Sequence, residues 1–149
     1  MRAVVQRVHA ARVDVAGETV GAIEHGLVAF VGAMEGDDEA QAVYVVDKII
    51  NLRVFEDDAG RMSRALPEVS GGLLVISQFT VAGDVRRGRR PSFDDAMAPD
   101  LARALLERFV ELAKGRGVPV ATGRFGADMR VVVDNDGPVT ILIDSRRLF

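Results

Sequence analysis

The chain has 149 residues, 48% of them hydrophobic and 28% charged, with a formal net charge of −3. This mixture describes a single globular domain (1–149) that buries roughly two thirds of its unfolded surface. Without a cysteine it has no disulfides, thiol catalysis or thiolate metal sites. No apolar stretch reaches the ~20 residues that cross a bilayer. Met1-Arg2-Ala3-Val4 opens on a strand-like pattern rather than a signal-peptide core, so a cytoplasmic location with no membrane partner is expected.

In chain order, Val4 to Val8 reads as a strand, and Val13 and Val15 alternate with Arg12 and Asp14 at the period of a half-buried strand. Ala16 to Thr19 supplies a turn, Val20 to Ile23 a returning strand, and Leu27 to Ala33 an apolar run suited to a strand covered on both faces. Asp37 is the expected N-cap of a helix reaching about Leu52, with Val43, Val46, Ile49 and Ile50 at helical spacing. Val54 to Glu56 reads as a short strand closed by the turn Asp57 to Gly60, and Leu73 to Phe79 as a central strand. A second helix begins near Pro99, with Leu101, Leu105, Phe109 and Leu112 as its stripe, and stops at Lys114 to Gly117. Val118 to Thr122, Met129 to Asp134 and Val139 to Asp144 are the closing strands. About eight strands and two helices in this order predict an α+β fold. A strongly curved, mainly antiparallel, barrel-like sheet with the helices packed on it is expected.

The chemistry of the residues is informative mainly by exclusion. Only His9 and His25 exist, both in the N-terminal meander, so a Ser-His-Asp triad around Ser77 or Thr80 lacks an obvious base. No metal-binding helix pattern, phosphate loop or dinucleotide fingerprint occurs, so no metal and no cofactor is expected. What remains is the end of the central strand at Ser77-Gln78-Phe79-Thr80. There the amides of Phe79 and Thr80 leave the sheet ladder, free either to hold an oxyanion or simply to cap the strand. Arg7 interrupts an apolar strand, and alternation alone would turn it outward. Arg86, Arg87, Arg89 and Arg90 cluster just beyond Thr80, as a solvated loop or as a phosphate-facing rim.

Ser77-Gln78-Phe79-Thr80 and Gly137-Pro138-Val139-Thr140, with Arg2 to Arg7, Gly88 to Phe93 and Gly123 to Met129, resemble segments of the D-aminoacyl-tRNA deacylases. Val81 departs mildly, since leucine is common at that place. The resemblance covers essentially the whole chain and implies hydrolysis of the ester between a D-amino acid and tRNA, with glycyl-tRNA also accepted. It implies a catalytic set of Ser77, Gln78, Phe79 and Thr80, with Thr80 either a donor or a covalent nucleophile. The neighbouring 2′-hydroxyl of the tRNA then takes the place of a protein base.

Handedness is implied to be read by Gly137 and Pro138, joined by a cis peptide and inserted from one subunit of a homodimer into its partner's site, with active sites at the interface. Arg7 would hold that loop, and Met129, with Phe125, would line the pocket or pack the core. Arg86, Arg87, Arg89 and Arg90 would bind the acceptor end of aminoacyl-tRNA. A non-catalytic RNA-binding module and a small-molecule esterase using Thr80 are the alternatives.

Overall fold

In the computed structural model, which describes residues 1–148, the two valine-rich N-terminal segments form one 14-residue strand, β1 (Arg2–Val15). A two-residue turn at Ala16-Gly17, with φ of 51° and 86°, returns the chain into β2 (Glu18–Ile23). Positive φ at both positions matches the twist of a tight hairpin. β3 (Gly26–Gly32) pairs antiparallel with the first half of β1, and β2 with its second half. Along the opposite edge of β1 runs β8 (Arg130–Asp144), also antiparallel. β1 is therefore the spine of the sheet.

The remaining strands of this sheet are parallel. β6 (Gly72–Ser77) pairs with β3, and β7 (Val120–Thr122) with β6, giving the order β2-β1-β3-β6-β7. Parallel neighbours need long crossovers. The first carries α1 (Glu39–Ile50) and the small hairpin of β4 (Phe55–Glu56) and β5 (Met62–Arg64); the second carries α2 (Pro99–Lys114). The sheet is thus mixed, antiparallel around β1 and parallel beyond β3. Its curvature brings β2 against β7, where a Cβ on Gly21 would lie 2.2 Å from the Thr122 carbonyl oxygen. Glycine alone permits that approach.

Alternation along β3 and β6 divides the interior in two. Leu27, Ala29, Val31, Leu73 and Val75 face the helices, packing with Val46, Ile49 and Phe109. Val28, Leu74 and Ile76 face the barrel lumen, with Val8 and Val13. Burial on both faces is why these strands read as continuous apolar runs. No described helix is long and apolar enough to cross a membrane.

Several expectations are corrected. The N-cap of α1 is Asp38, not Asp37: its carboxylate accepts from the Ala40 amide at 2.7 Å, while the Gln41 side chain accepts from the Asp38 amide at 2.8 Å. That reciprocal pair outcompetes a helix start one residue earlier. Asp37 instead turns inward, accepting from the Met34 amide and pairing with the Met1 α-ammonium at 2.5 Å. On α2 the buried face is Ala102, Leu106, Phe109 and Ala113, while Leu101 is 64% exposed. Small side chains at Ala102 and Ala113 bring the helix close along a line one residue away from the leucine spacing. Finally, Met129 to Asp134 and Val139 to Asp144 are not two strands but one, β8, interrupted only in its pairing.

Gly21→Ala should force the β2–β7 seam apart and destabilise the protein by about 1–3 kcal/mol, the usual range for overpacking. Urea unfolding measures it, and an unchanged midpoint would show that the seam opens freely.

Candidate active site

β6 makes its last sheet bond at Gln78, whose amide donates to the Val31 carbonyl at 2.9 Å. The chain then enters a short 3-10 turn, Phe79–Ala82, in which the Val81 amide donates to the Gln78 carbonyl and the Gly83 amide to that of Thr80. The amides of Phe79 and Thr80 precede the first of these bonds, so the turn gives them no acceptor. Gln78 Nε2 donates to Thr80 Oγ1 at 2.9 Å. With one lone pair so engaged, the hydroxyl is oriented to donate its proton elsewhere.

These residues open onto a cleft of ≈ 890 Å³ between the ends of β3 and β6, the start of α2 and the segment 125–129. Ser77, Gln78, Phe79, Thr80 and Met129 all line it. Gly32 sits at its base, where a Cβ would meet the Val81 side chain at 2.4 Å; the valine at this position packs directly on the glycine. Phe79 is 60% exposed, its ring edge-on to Phe93 with centroids 5.0 Å apart. Phe125 also lines the cleft, and Met129 packs at the same time against the barrel core. Pocket and core roles therefore coincide at Met129. Neither histidine lines the cleft: His9 is exposed and His25 packs edge-on to Phe55.

Gly137 and Pro138 lie elsewhere. Gln6 pairs with Thr140 and Val8 with Asn135, so one residue of β1, Arg7, stands opposite four of β8, Asp136 to Val139. The excess leaves the sheet as a loop in which Gly137 and Pro138 are exposed, joined by a cis peptide. Gly137 has φ 124°, a conformation suited to glycine, and a Cβ there would also meet Arg7 Nη2 at 3.2 Å. Asn135 braces the loop across its neck: its side chain donates to the Val139 carbonyl at 3.3 Å and accepts from the Val139 amide at 3.2 Å.

Arg7 is only 6% exposed, contrary to the outward orientation that alternation predicts. The register mismatch leaves a gap opposite it, and the guanidinium fills that gap. It donates to the Val54 carbonyl, and its Nε lies 2.9 Å from Asp136 Oδ2 as an ion pair. Asp136 Oδ1 is also 3.5 Å from His9 Nε2. Asn135 and Asp136, which support the loop from within β8, escaped sequence reasoning; their place directly before Gly137-Pro138 was the available signal.

The arginine cluster rides on a loop closed by paired amide–carbonyl bonds between Asp84 and Ser92. Arg86 is not available in the way expected. It folds back on Asp84, with Nη2–Oδ2 at 2.6 Å, and its side-chain and backbone hydrogen bonds hold that carboxyl down to about 2. Arg87, Arg89 and Arg90 are exposed, and among the described residues none is paired with a carboxylate.

A family model described as D-Tyr-tRNA(Tyr) deacylase matches residues 4–144. The chain belongs to this family. It is 67% identical, over the full length of both chains, to the D-aminoacyl-tRNA deacylase of Sorangium cellulosum (strain So ce56). It is 53% identical, again over both full lengths, to that of Thermotoga petrophila. Among solved structures, the c-Myc DNA Unwinding Element Binding Protein superposes with a TM-score of 0.93 at 39% identity, covering 97% of this chain and 98% of that one. A probable eukaryotic D-amino acid tRNA deacylase shares the fold, with a TM-score of 0.81 at 18% identity.

Because Arg86 lowers the Asp84 carboxyl, their pairing is fully present above the ordinary aspartate value of 3.8 and is lost as pH falls through about 2. A carboxyl-carbon NMR titration should place Asp84 near 2; a midpoint close to 3.8 would show the arginine to be free in solution.

Proposed function

We propose that the protein separates D- from L-aminoacyl-tRNA with the Gly137–Pro138 loop, each protomer of a homodimer completing the cleft of its twin. The underlying activity follows from the family: hydrolysis of the ester of D-aminoacyl-tRNA, releasing a free D-amino acid and tRNA. The observation that carries the proposal is the loop itself. It is exposed and braced by Arg7 and Asn135, yet it lines no part of its own chain's cleft. In this reading a second copy brings the element to the substrate. Its peptide carbonyls, set against the α-carbon, would leave room for hydrogen or a D side chain and clash with an L side chain. Glycyl-tRNA would pass the same test.

On the cleft wall the amides of Phe79 and Thr80 would hold the oxyanion that forms as the ester carbonyl is attacked. One such donor is typically worth ~2.7–4 kcal/mol. Thr80, its oxygen already engaged by Gln78, acts in this reading as a third donor rather than as a nucleophile. With no histidine on the cleft, the base is supplied by the substrate: the 2′-hydroxyl beside the ester activates water, positioned at high effective molarity. Arg87, Arg89 and Arg90 take phosphates of the acceptor end, contacts that orient without reading sequence. Such a role belongs to the cytoplasm, where tRNA is charged.

Incubation with D-tyrosyl-, L-tyrosyl- and glycyl-tRNA should release the first and third and spare the second. D-tyrosyl-tRNA ending in 2′-deoxyadenosine should survive. Rapid cleavage of the deoxy substrate would move the base back to the protein, and hydrolysis of simple activated esters without RNA would favour a Thr80 esterase.

Asn135→Ala removes both bonds at the loop neck, each worth about 1 kcal/mol. It should raise L-tyrosyl-tRNA hydrolysis while retaining most of the D activity. An unchanged L rate in a folded dimer would take the loop out of the selection.

A further inference from the structure

The start of α2 forms one wall of the cleft through Pro99 and Ala102, and the next residue, Arg103, stands exposed at its rim. Its guanidinium carbon lies 4.5 Å from the centroid of the Phe125 ring, and that ring lines the cleft. A cation over an aromatic face at an exposed site gains about 0.5–1 kcal/mol, enough to bias a long side chain toward one orientation. A cation–π contact consumes none of the five N–H donors of the guanidinium, which stay available to an acceptor.

Two other arginines, on α2 and just past its end, are engaged in the scaffold. Arg108, further along α2, is bonded to Glu39 at 2.8 Å, and Arg116 to Asp47 at 2.7 Å. Arg103 has no such partner among the described residues, although Asp100, Glu107 and Asp128 lie nearby in the chain or along the cleft. An arginine that is oriented by a cleft-lining ring and left without a counter-ion is arranged for an anion arriving at the cleft.

We infer that Arg103 is a phosphate contact for the 3′ strand of the substrate RNA, held in position by Phe125. This rests on the deacylase reading. For the ester to reach the amides of Phe79 and Thr80, the terminal adenosine enters the cleft and the phosphates on its 5′ side pass over the rim. The fork of a guanidinium matches two phosphate oxygens. Arg87, Arg89 and Arg90 belong to the loop closed between Asp84 and Ser92, so the strand is gripped from two separate elements of the fold. Arg103 is a positioning residue: it orients the RNA and touches no reacting atom.

The bland possibility is that the arginine stem merely covers Phe125, and Arg103→Met separates the two, since methionine keeps apolar cover and removes the charge. Wild type and variant are compared on D-tyrosyl-tRNA and on D-tyrosyl-adenosine, the same ester without any phosphate, between about 50 and 200 mM salt. The variant should raise KM for the tRNA with little change in kcat. It should also reduce the slope of log kcat/KM against log salt by about 0.7–1, one phosphate's worth. Cleavage of D-tyrosyl-adenosine should be unaffected. Arg103→Lys, which restores the charge, should recover the slope. Equal losses on both substrates, or no loss on either, would overturn the assignment. Failure of the wild-type protein to cleave either ester would instead refute the deacylase reading on which it rests.

Discussion

Four residues of β8 lie opposite one residue of β1, and a buried arginine occupies the resulting gap. Much of the molecule is arranged around that mismatch. β1 pairs with three strands, so it cannot adjust its length or register to absorb the excess, and the surplus must leave the sheet as a loop. A charge at such a depth is tolerated only with partners. Arg7 finds them in the Val54 carbonyl, which ties in the segment after α1, and in Asp136, which belongs to the loop itself. The same side chain therefore joins the spine of the barrel, a crossover segment and an exposed turn.

The cleft follows from a different feature of the topology. β3 and β6 run parallel and finish side by side, and the residues just beyond their ends, together with the start of α2, form its walls. Ligand sites in sheets with parallel strands recur outside such carboxyl ends, because there the chains stop bonding to each other and turn away. In this protein the change from extended strand to 3-10 turn at Phe79 releases two amides beside the cleft. Main-chain donors fixed in this way need no reorganisation to meet an acceptor that enters the cleft.

Much of this was legible in the residues, and what was not has a common physical cause. The apolar runs of β3 and β6, the release of amides after Ser77 and the position of α2 follow from local pattern, because each depends on neighbours within a few residues. The inward turn of Arg7 does not. Alternation assigns it to the solvent face, and only a register set between residues about 130 positions apart reverses the assignment. Asp37 was misread for a related reason, since its partner at Met1 is distant in sequence and the cap at Asp38 was decided by Gln41. The parallel pairing of β6 with β3 leaves no local trace either. The leucine spacing of α2 misled because two alanines, not the larger residues, determine how closely that helix packs.

The loop that carries Gly137 and Pro138 is an outgrowth of the longest strand in the sheet, anchored on both sides by ladder pairing. Surface loops hung between elements commonly open well before a domain melts, but this one is continuous with paired strand on either side. Warming would therefore release the loop only as the strand that carries it parts from β1.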